Sequence, residues 1–120
     1  STVRIQIPWN LTMKHRACLG EGANAYSLGK IKIMEGATVA QEAYLCTGTH
    51  DFNDPSLQLI TKPITIGKNS FIGARAMILP GTCIGERVIV GAMSVVPKDV
   101  LDHQVVAGNP AKKIGERATS

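Results

Sequence analysis

Aromatic side chains are almost missing from this chain: two Phe, two Tyr and one Trp make up 4% of 120 residues, although 44% are hydrophobic. A sandwich usually wants aromatic fill. The interior must therefore be built from Ile, Val, Leu and Ala, which suits a narrow stacked core. Cysteine is also scarce. Cys18, Cys46 and Cys83 are odd in number, far apart and without CxxC spacing. They read as small buried hydrophobes in a reducing compartment, not as disulfides or a zinc site. No apolar run approaches membrane-spanning length and no signal peptide is visible, so a cytoplasmic location without a membrane span is expected. The chain opens at Ser1 rather than Met, which leaves room for an upstream segment. Net charge is +4, but no basic run is interleaved with stacking aromatics, which argues against nucleic-acid binding. Most basic residues read as a scattered, solvated surface. One cluster, Lys98, Lys112, Lys113 and Arg117, suits a small polyphosphate ligand. The length allows one domain.

What the chain does have is a beat of six. Ile66, Ile72, Ile78, Ile84, Val90 and Val96 recur at that interval, with Ser70, Ala76, Thr82, Val88, Ser94 and Val100 four residues beyond each. Gly67, Gly73, Gly85 and Gly91 follow the aliphatic residue directly. A period of six fits neither a helix nor a simple alternating strand; it is the signature of a hexapeptide-repeat β-helix. The beat exists earlier in two other registers: Ile7, Met13, Leu19 and Ala25, then Ile33, Val39 and Leu45, with Thr49 closing the last hexad. Two extra residues near 29–32 shift the phase, and 21 residues separate Leu45 from Ile66. An excursion loop at about 51–63, with the turn signal Asn53-Asp54-Pro55, is expected to leave the prism there. Four to five coils should form over residues 1–108. Asn109-Pro110 then predicts a short helix over 111–118, so that 109–120 form a C-terminal helix and tail covering the last coil.

The hexapeptide pattern, CTGTHD before the excursion, KPITIG after it, IGARAMILPG, and VVPKDV with VVAGNPAKKIG at the end resemble the left-handed β-helix acyltransferases. Within them the chain is most similar to the colanic-acid-biosynthesis O-acetyltransferases, relatives of galactoside and maltose acetyltransferases. The resemblance implies an all-β, left-handed parallel β-helix, acetyl-CoA as co-substrate, no metal, and a saccharide hydroxyl as acceptor. It also implies a homotrimer with active sites between subunits, and direct transfer without an acyl-enzyme.

His50, at the root of the excursion, matches the family's catalytic histidine, and an imidazole suits deprotonation of an attacking alcohol. On position alone it could equally be a turn histidine. Asp51 is a candidate to orient the ring, a backbone carbonyl could equally do so, and Asp51 would then be a loop cap. Gly73-Ala74 and Gly91-Ala92 lie one coil apart and should stack. By resemblance Ala74 and Ala92 line the pantetheine groove, Lys98 and Lys112 meet the nucleotide and phosphate end, and Phe71 lies near the pantetheine or the acceptor. Pro97 lacks an N–H that a donor there would need. Asn24, Tyr26 and Ser27 correspond to the sugar-contacting region, with Phe52 and Asp54 as further acceptor candidates. Two other readings stand beside this one. A γ-class carbonic anhydrase needs three zinc-binding histidines, but His15, His50 and His103 occupy different phases of the prism. A non-catalytic scaffold would need neither His50 nor the Gly-Ala ladder.

Overall fold

In a computed structural model, which describes residues 3–118, the hexads wind into three parallel sheets that form a triangular prism. The first sheet stacks Arg4–Ile5, Asn24–Tyr26, Tyr44–Cys46, Met77–Ile78 and Val95–Val96. The second stacks Leu11–Met13, Ile31–Ile33, Ile64–Ile66 and Cys83–Ile84. The third stacks Cys18–Leu19, Thr38–Val39, Phe71–Ile72, Ile89–Val90, Gln104–Gly108 and Ala111–Glu116. One coil therefore carries one inward aliphatic per sheet: Met13-Leu19-Ala25, Ile33-Val39-Leu45, Ile66-Ile72-Ile78 and Ile84-Val90-Val96. The last three of these coils are fully buried. Each such side chain contributes on the order of 1.5–3 kcal/mol, so the beat of six is the core written out in order.

The short positions close the prism. Ala37, Ala43, Ala76 and Val88 are buried, and so are Ser70 and Ser94. The two serines are bonded to main chain: Ser70 Oγ donates to the Gly85 carbonyl at 2.7 Å and accepts from the Val88 N–H, while Ser94 Oγ accepts from the Gly108 N–H. The glycine after the aliphatic residue has a packing reason. A Cβ on Gly73 would lie 2.6 Å from the Ala92 nitrogen and 2.7 Å from the Val90 oxygen, so the coil above occupies that space. A different position turns the corner. The third residue past the inward aliphatic has positive φ at nine turns, supplied by glycine at Gly22, Gly36 and Gly81 but by Arg16, Glu42, Asn69, Arg75, Arg87 and Met93 elsewhere; Leu28, Gly48 and Asp99, on the edge where the spacing departs from six, do not share it. The turn thus requires the left-handed region without always marking it by glycine.

All departures from six fall on one edge of the prism, between the first and second sheets. Stacking places Ile5, not Ile7, in line with Ala25, so that edge takes eight residues from Ile5 to Met13. It takes eight again from Ala25 to Ile33, twenty-one from Leu45 to Ile66, six from Ile78 to Ile84, and four from Val96 to Val100, which bridges to Ile84. The 3-10 turn Pro8–Asn10 occupies the first of these gaps, with Asn10 Nδ2 donating to the Ser27 and Leu28 carbonyls. In the third gap, Thr47 is the buried residue that closes the hexad, not Thr49, which already belongs to the excursion.

The C-terminal helix does not form. Ala111–Glu116 is a strand, antiparallel to Gln104–Gly108, after a reversal through Gly108 at φ +103 and a cis Asn109–Pro110 bond. The free edge of Gln104–Gly108 offers a row of main-chain partners that a helix would leave unmet. Gly115 also weakens the helical alternative. Residues 119–120 of the expected helix and tail lie outside the described residues. Nor are the cysteines uniformly buried: Cys18 and Cys83 face outward on their strands, and all three are free.

Candidate active site

The excursion is a β-hairpin that leaves the prism earlier than expected. Gly48–His50 pairs antiparallel with Leu59–Thr61, matching Gly48 to Thr61 and His50 to Leu59. Its tip is held by side-chain caps. Asp51 Oδ1 accepts from the Asn53 N–H, and Asp54 Oδ1 accepts from the Ser56 N–H at 2.9 Å and the Ser56 hydroxyl at 2.8 Å. Of the roles left open for Asp51, the structure shows the loop cap, and its carboxylate is not bonded to the histidine ring. The Leu57 carbonyl orients the ring, 2.8 Å from His50 Nδ1. A carbonyl only accepts, so Nδ1 of the neutral ring carries the hydrogen and Nε2 keeps its lone pair. That is the tautomer a general base requires. His50 is exposed at the hairpin root.

The bonds from Ser56 hold the Asp54 carboxyl below its ordinary value of 3.8. A depressed folded value means that its contribution to tip order is present above the ordinary carboxylate range. It is lost as pH falls through the lowered value. Hydrogen exchange at the Ser56 amide should therefore accelerate, relative to other hairpin amides, only below about pH 4.

Alternation along Gly48–His50 puts residues 48 and 50 on the same side of the hairpin. At Gly48 that side meets Tyr26: a Cβ there would lie 2.9 Å from the ring. Tyr26 thus sits beside the root from which His50 projects. Its ring meets Tyr44 edge-on, with centroids 6.1 Å apart. Burial, then the neighbouring Cys46, pushes the Tyr44 hydroxyl above its usual pKa. Tyr44 pairs in register with Asn24, whose Oδ1 is buried without a partner. Arg4, Gly22, Asn24, Glu42 and Tyr44 border a hollow of about 420 Å³ on the outer face of the first sheet. Ser27 is removed from this set. It is fully buried, and its hydroxyl is bonded to both the N–H and the carbonyl of Ile7, because the second gap in the beat turns it inward. Phe52 is 80% exposed and Asp54 is engaged with Ser56, both near the hairpin tip.

On the edge between the third and first sheets, Gly73-Ala74 lies directly below Gly91-Ala92, as the spacing predicts, with the Met93 N–H donating to the Ala74 carbonyl at 2.9 Å. Phe71 stands on the outer face of the third sheet between Thr38 and Ile89. Lys98 and Lys112, 14 residues apart in sequence, are brought together at the C-terminal end of the prism. They line a cavity of about 490 Å³ whose floor includes Val96, Val100 and Val106 and whose rim adds Pro97, Pro110 and Lys113. His50 and the Gly-Ala ladder occupy different edges of one prism, with the whole first sheet between them. Sequence reasoning allowed for a main-chain carbonyl but could not say that Leu57 supplies it, and it missed Tyr44. Tyr44 could have been found by noting that the two-residue phase shift makes that coil twenty residues long, placing it over Asn24. Among the described residues no three His, Cys, Asp or Glu side chains gather as metal ligands, and no helix is long and apolar enough to cross a membrane.

Residues 63–98 match the family profile described as "Bacterial transferase hexapeptide (six repeats)". Over 116 residues, 97% of the chain, the sequence is 38% identical to the Escherichia coli (strain K12) protein named "Putative colanic acid biosynthesis acetyltransferase WcaF". The chain spans 64% of that protein's length. The fold matches a maltose O-acetyltransferase from Clostridium difficile 630 with a TM-score of 0.91 at 28% identity, covering 97% of this chain and 64% of the other. It also matches a hexapeptide-repeat acetyltransferase from Vibrio cholerae O1 biovar eltor, solved with acetyl coenzyme A. There the TM-score is 0.90 at 22% identity, over 97% of this chain and 65% of that one.

Proposed function

This chain is a hexapeptide-repeat β-helix protein with acetyltransferases for relatives, and from that premise we propose that it is an acetyl-CoA-dependent O-acetyltransferase acting on a saccharide hydroxyl. The observation that carries the reading is the orientation of His50 at the hairpin root, with Nδ1 engaged by the Leu57 carbonyl. His50 Nε2 takes the acceptor hydroxyl proton as that oxygen attacks the thioester carbonyl. The carbon–sulfur bond breaks, and the proton held on the ring returns to the departing sulfur. No acyl-enzyme intervenes. Asn24, Tyr26 and Tyr44 offer the acceptor a polar atom and two ring faces beside the root. Gly73-Ala74 and Gly91-Ala92 give the pantetheine arm an edge with short side chains, and Lys98 and Lys112 meet the phosphates.

Because His50 and the ladder stand on different edges, the site is completed between subunits of a homotrimer, one supplying His50 and the next the ladder. Light scattering at micromolar concentration should report three chains; a monomer contradicts the shared site. The enzyme works in the cytoplasm. Calorimetry with acetyl-CoA on folded protein tests the class directly. Saturable binding is expected, weakened about tenfold in Lys98→Ala/Lys112→Ala. An absence of binding heat and of competition by coenzyme A would overturn the transferase reading. Thioester consumption against a panel of monosaccharides, nucleotide sugars and lipid-linked oligosaccharides then identifies the acceptor.

A further inference from the structure

The lysines that look scattered in the sequence are gathered by the winding of the chain. On the outer face of the second sheet, Thr12, Lys32, Thr65 and Cys83 form one vertical column. Lys30 lies two residues before Lys32 and is exposed on the same side of the strand. Lys14 leaves the bottom strand of this sheet, its N–H bonded to the Ile33 carbonyl, and is exposed. Lys62, also exposed, enters the sheet from the hairpin, its stem lying against Gly81. Among the described residues, the two ion pairs, Arg75–Glu42 and Lys113–Glu116, involve none of these four lysines. The carboxylate at the top of the column, Asp99, is bound to the Cys83 N–H. Trp9 stands at the lower corner of this face, 84% exposed, one coil below Gly29. The face is basic and rimmed by one indole, and the exposed His15 beside Lys14 adds one small ring, short of the run of aromatics on which successive nucleic-acid bases stack.

We propose that this face docks the protein on an anionic lipid surface, with Lys14, Lys30, Lys32 and Lys62 against the headgroups and Trp9 at the interfacial level. The occupant follows from two properties found together. Four lysines spread over the breadth of three coils, against Glu35 at the far edge and Asp99 at the top, which fits an extended array of anions better than a single small ligand in a pocket. The indole has an apolar body and a polar N–H, the combination that settles at the headgroup boundary. A basic residue near such a surface contributes about fivefold in partitioning. The proposal is independent of the transferase reading, since none of these residues belongs to the candidate site.

Trp9 is the only tryptophan in the chain, so its fluorescence reports this corner alone. The test mixes the full chain with vesicles of phosphatidylcholine alone and of equal phosphatidylcholine and phosphatidylglycerol, and follows sedimentation and Trp9 emission. The expected result is at least tenfold stronger partitioning onto the anionic vesicles, a blue shift of Trp9 there, and release by raised salt. Lys30→Glu/Lys32→Glu should lower partitioning tenfold or more while thermal unfolding stays unchanged. Should that variant fail to fold, Lys14→Gln/Lys62→Gln serves in its place and should lower it about tenfold. Equal binding to neutral vesicles, no sedimentation, or an unshifted Trp9 would each overturn the proposal. So would displacement by dextran sulfate with the same affinity per charge, which would make the face a general polyanion site and not a lipid one.

Discussion

Substituting His50 by alanine should lower acetyl transfer by about 10²- to 10⁴-fold while acetyl-CoA still binds with unchanged affinity. The separation of the two effects comes from geometry. His50 projects from the hairpin root on the edge between the first and second sheets, whereas the Gly-Ala ladder stands on the edge between the third and first sheets and the Lys98–Lys112 cavity at the C-terminal end of the prism. Single-turnover thioester consumption with an active acceptor measures the first effect, and calorimetry the second. His50→Ala that retains full consumption would remove the base from the mechanism and leave the class intact. Asp51→Asn should behave differently. Its carboxylate caps the hairpin tip through the Asn53 N–H and does not touch the ring, so the expected loss is under tenfold. A loss as large as that of His50→Ala would restore Asp51 as the orienting group.

Replacing Gly73 by alanine should destabilise the fold by about 3 kcal/mol, the upper part of the range for overpacking. The added carbon would meet main-chain atoms of the next coil: the Ala92 nitrogen at 2.6 Å, the Val90 oxygen at 2.7 Å and the Gly91 carbonyl carbon at 2.8 Å. Main chain held in a parallel ladder cannot swing aside as a side chain could, so the coils must separate. Gly115→Ala is the control. Nothing lies within 4 Å of its added carbon, and the change should stay within about 0.5 kcal/mol. Urea midpoints of both variants decide the matter. If the two glycines tolerate alanine equally, coil-to-coil contact is not what fixes Gly73, and its small size answers to the coenzyme alone.

The core was legible because each hexad repeats one physical task. Ile66 through Val96 are all buried in the order the count gives, and the 18-residue spacing placed Gly73 below Gly91 correctly. The resemblance to hexapeptide-repeat acetyltransferases was legible for the same reason. Misreadings cluster where the count is broken. Ile7 lies two residues past the aligned Ile5. Thr47 replaces Thr49 as the closing residue, and Ser27 turns inward on the two-residue shift. Near the C-terminus, Asn109-Pro110 carried a helix-start signal, yet the unpaired edge of Gln104–Gly108 outweighed local propensity and drew Ala111–Glu116 into the sheet. The partner of His50 was illegible on different grounds: it is a main-chain oxygen, and any residue at position 57 would bring one.

Two edges of the prism keep spans of six residues at every coil. The third edge has accepted spans of four, six, eight and twenty-one residues between stacked positions while the ladders stay aligned. New material can therefore enter the chain at one edge only, and there it can enter at any coil. Grafting a peptide at Pro80-Gly81, where that edge has a six-residue span, should leave the stacked core in register. The same peptide at Arg75 or Arg87 should unseat every coil beyond it.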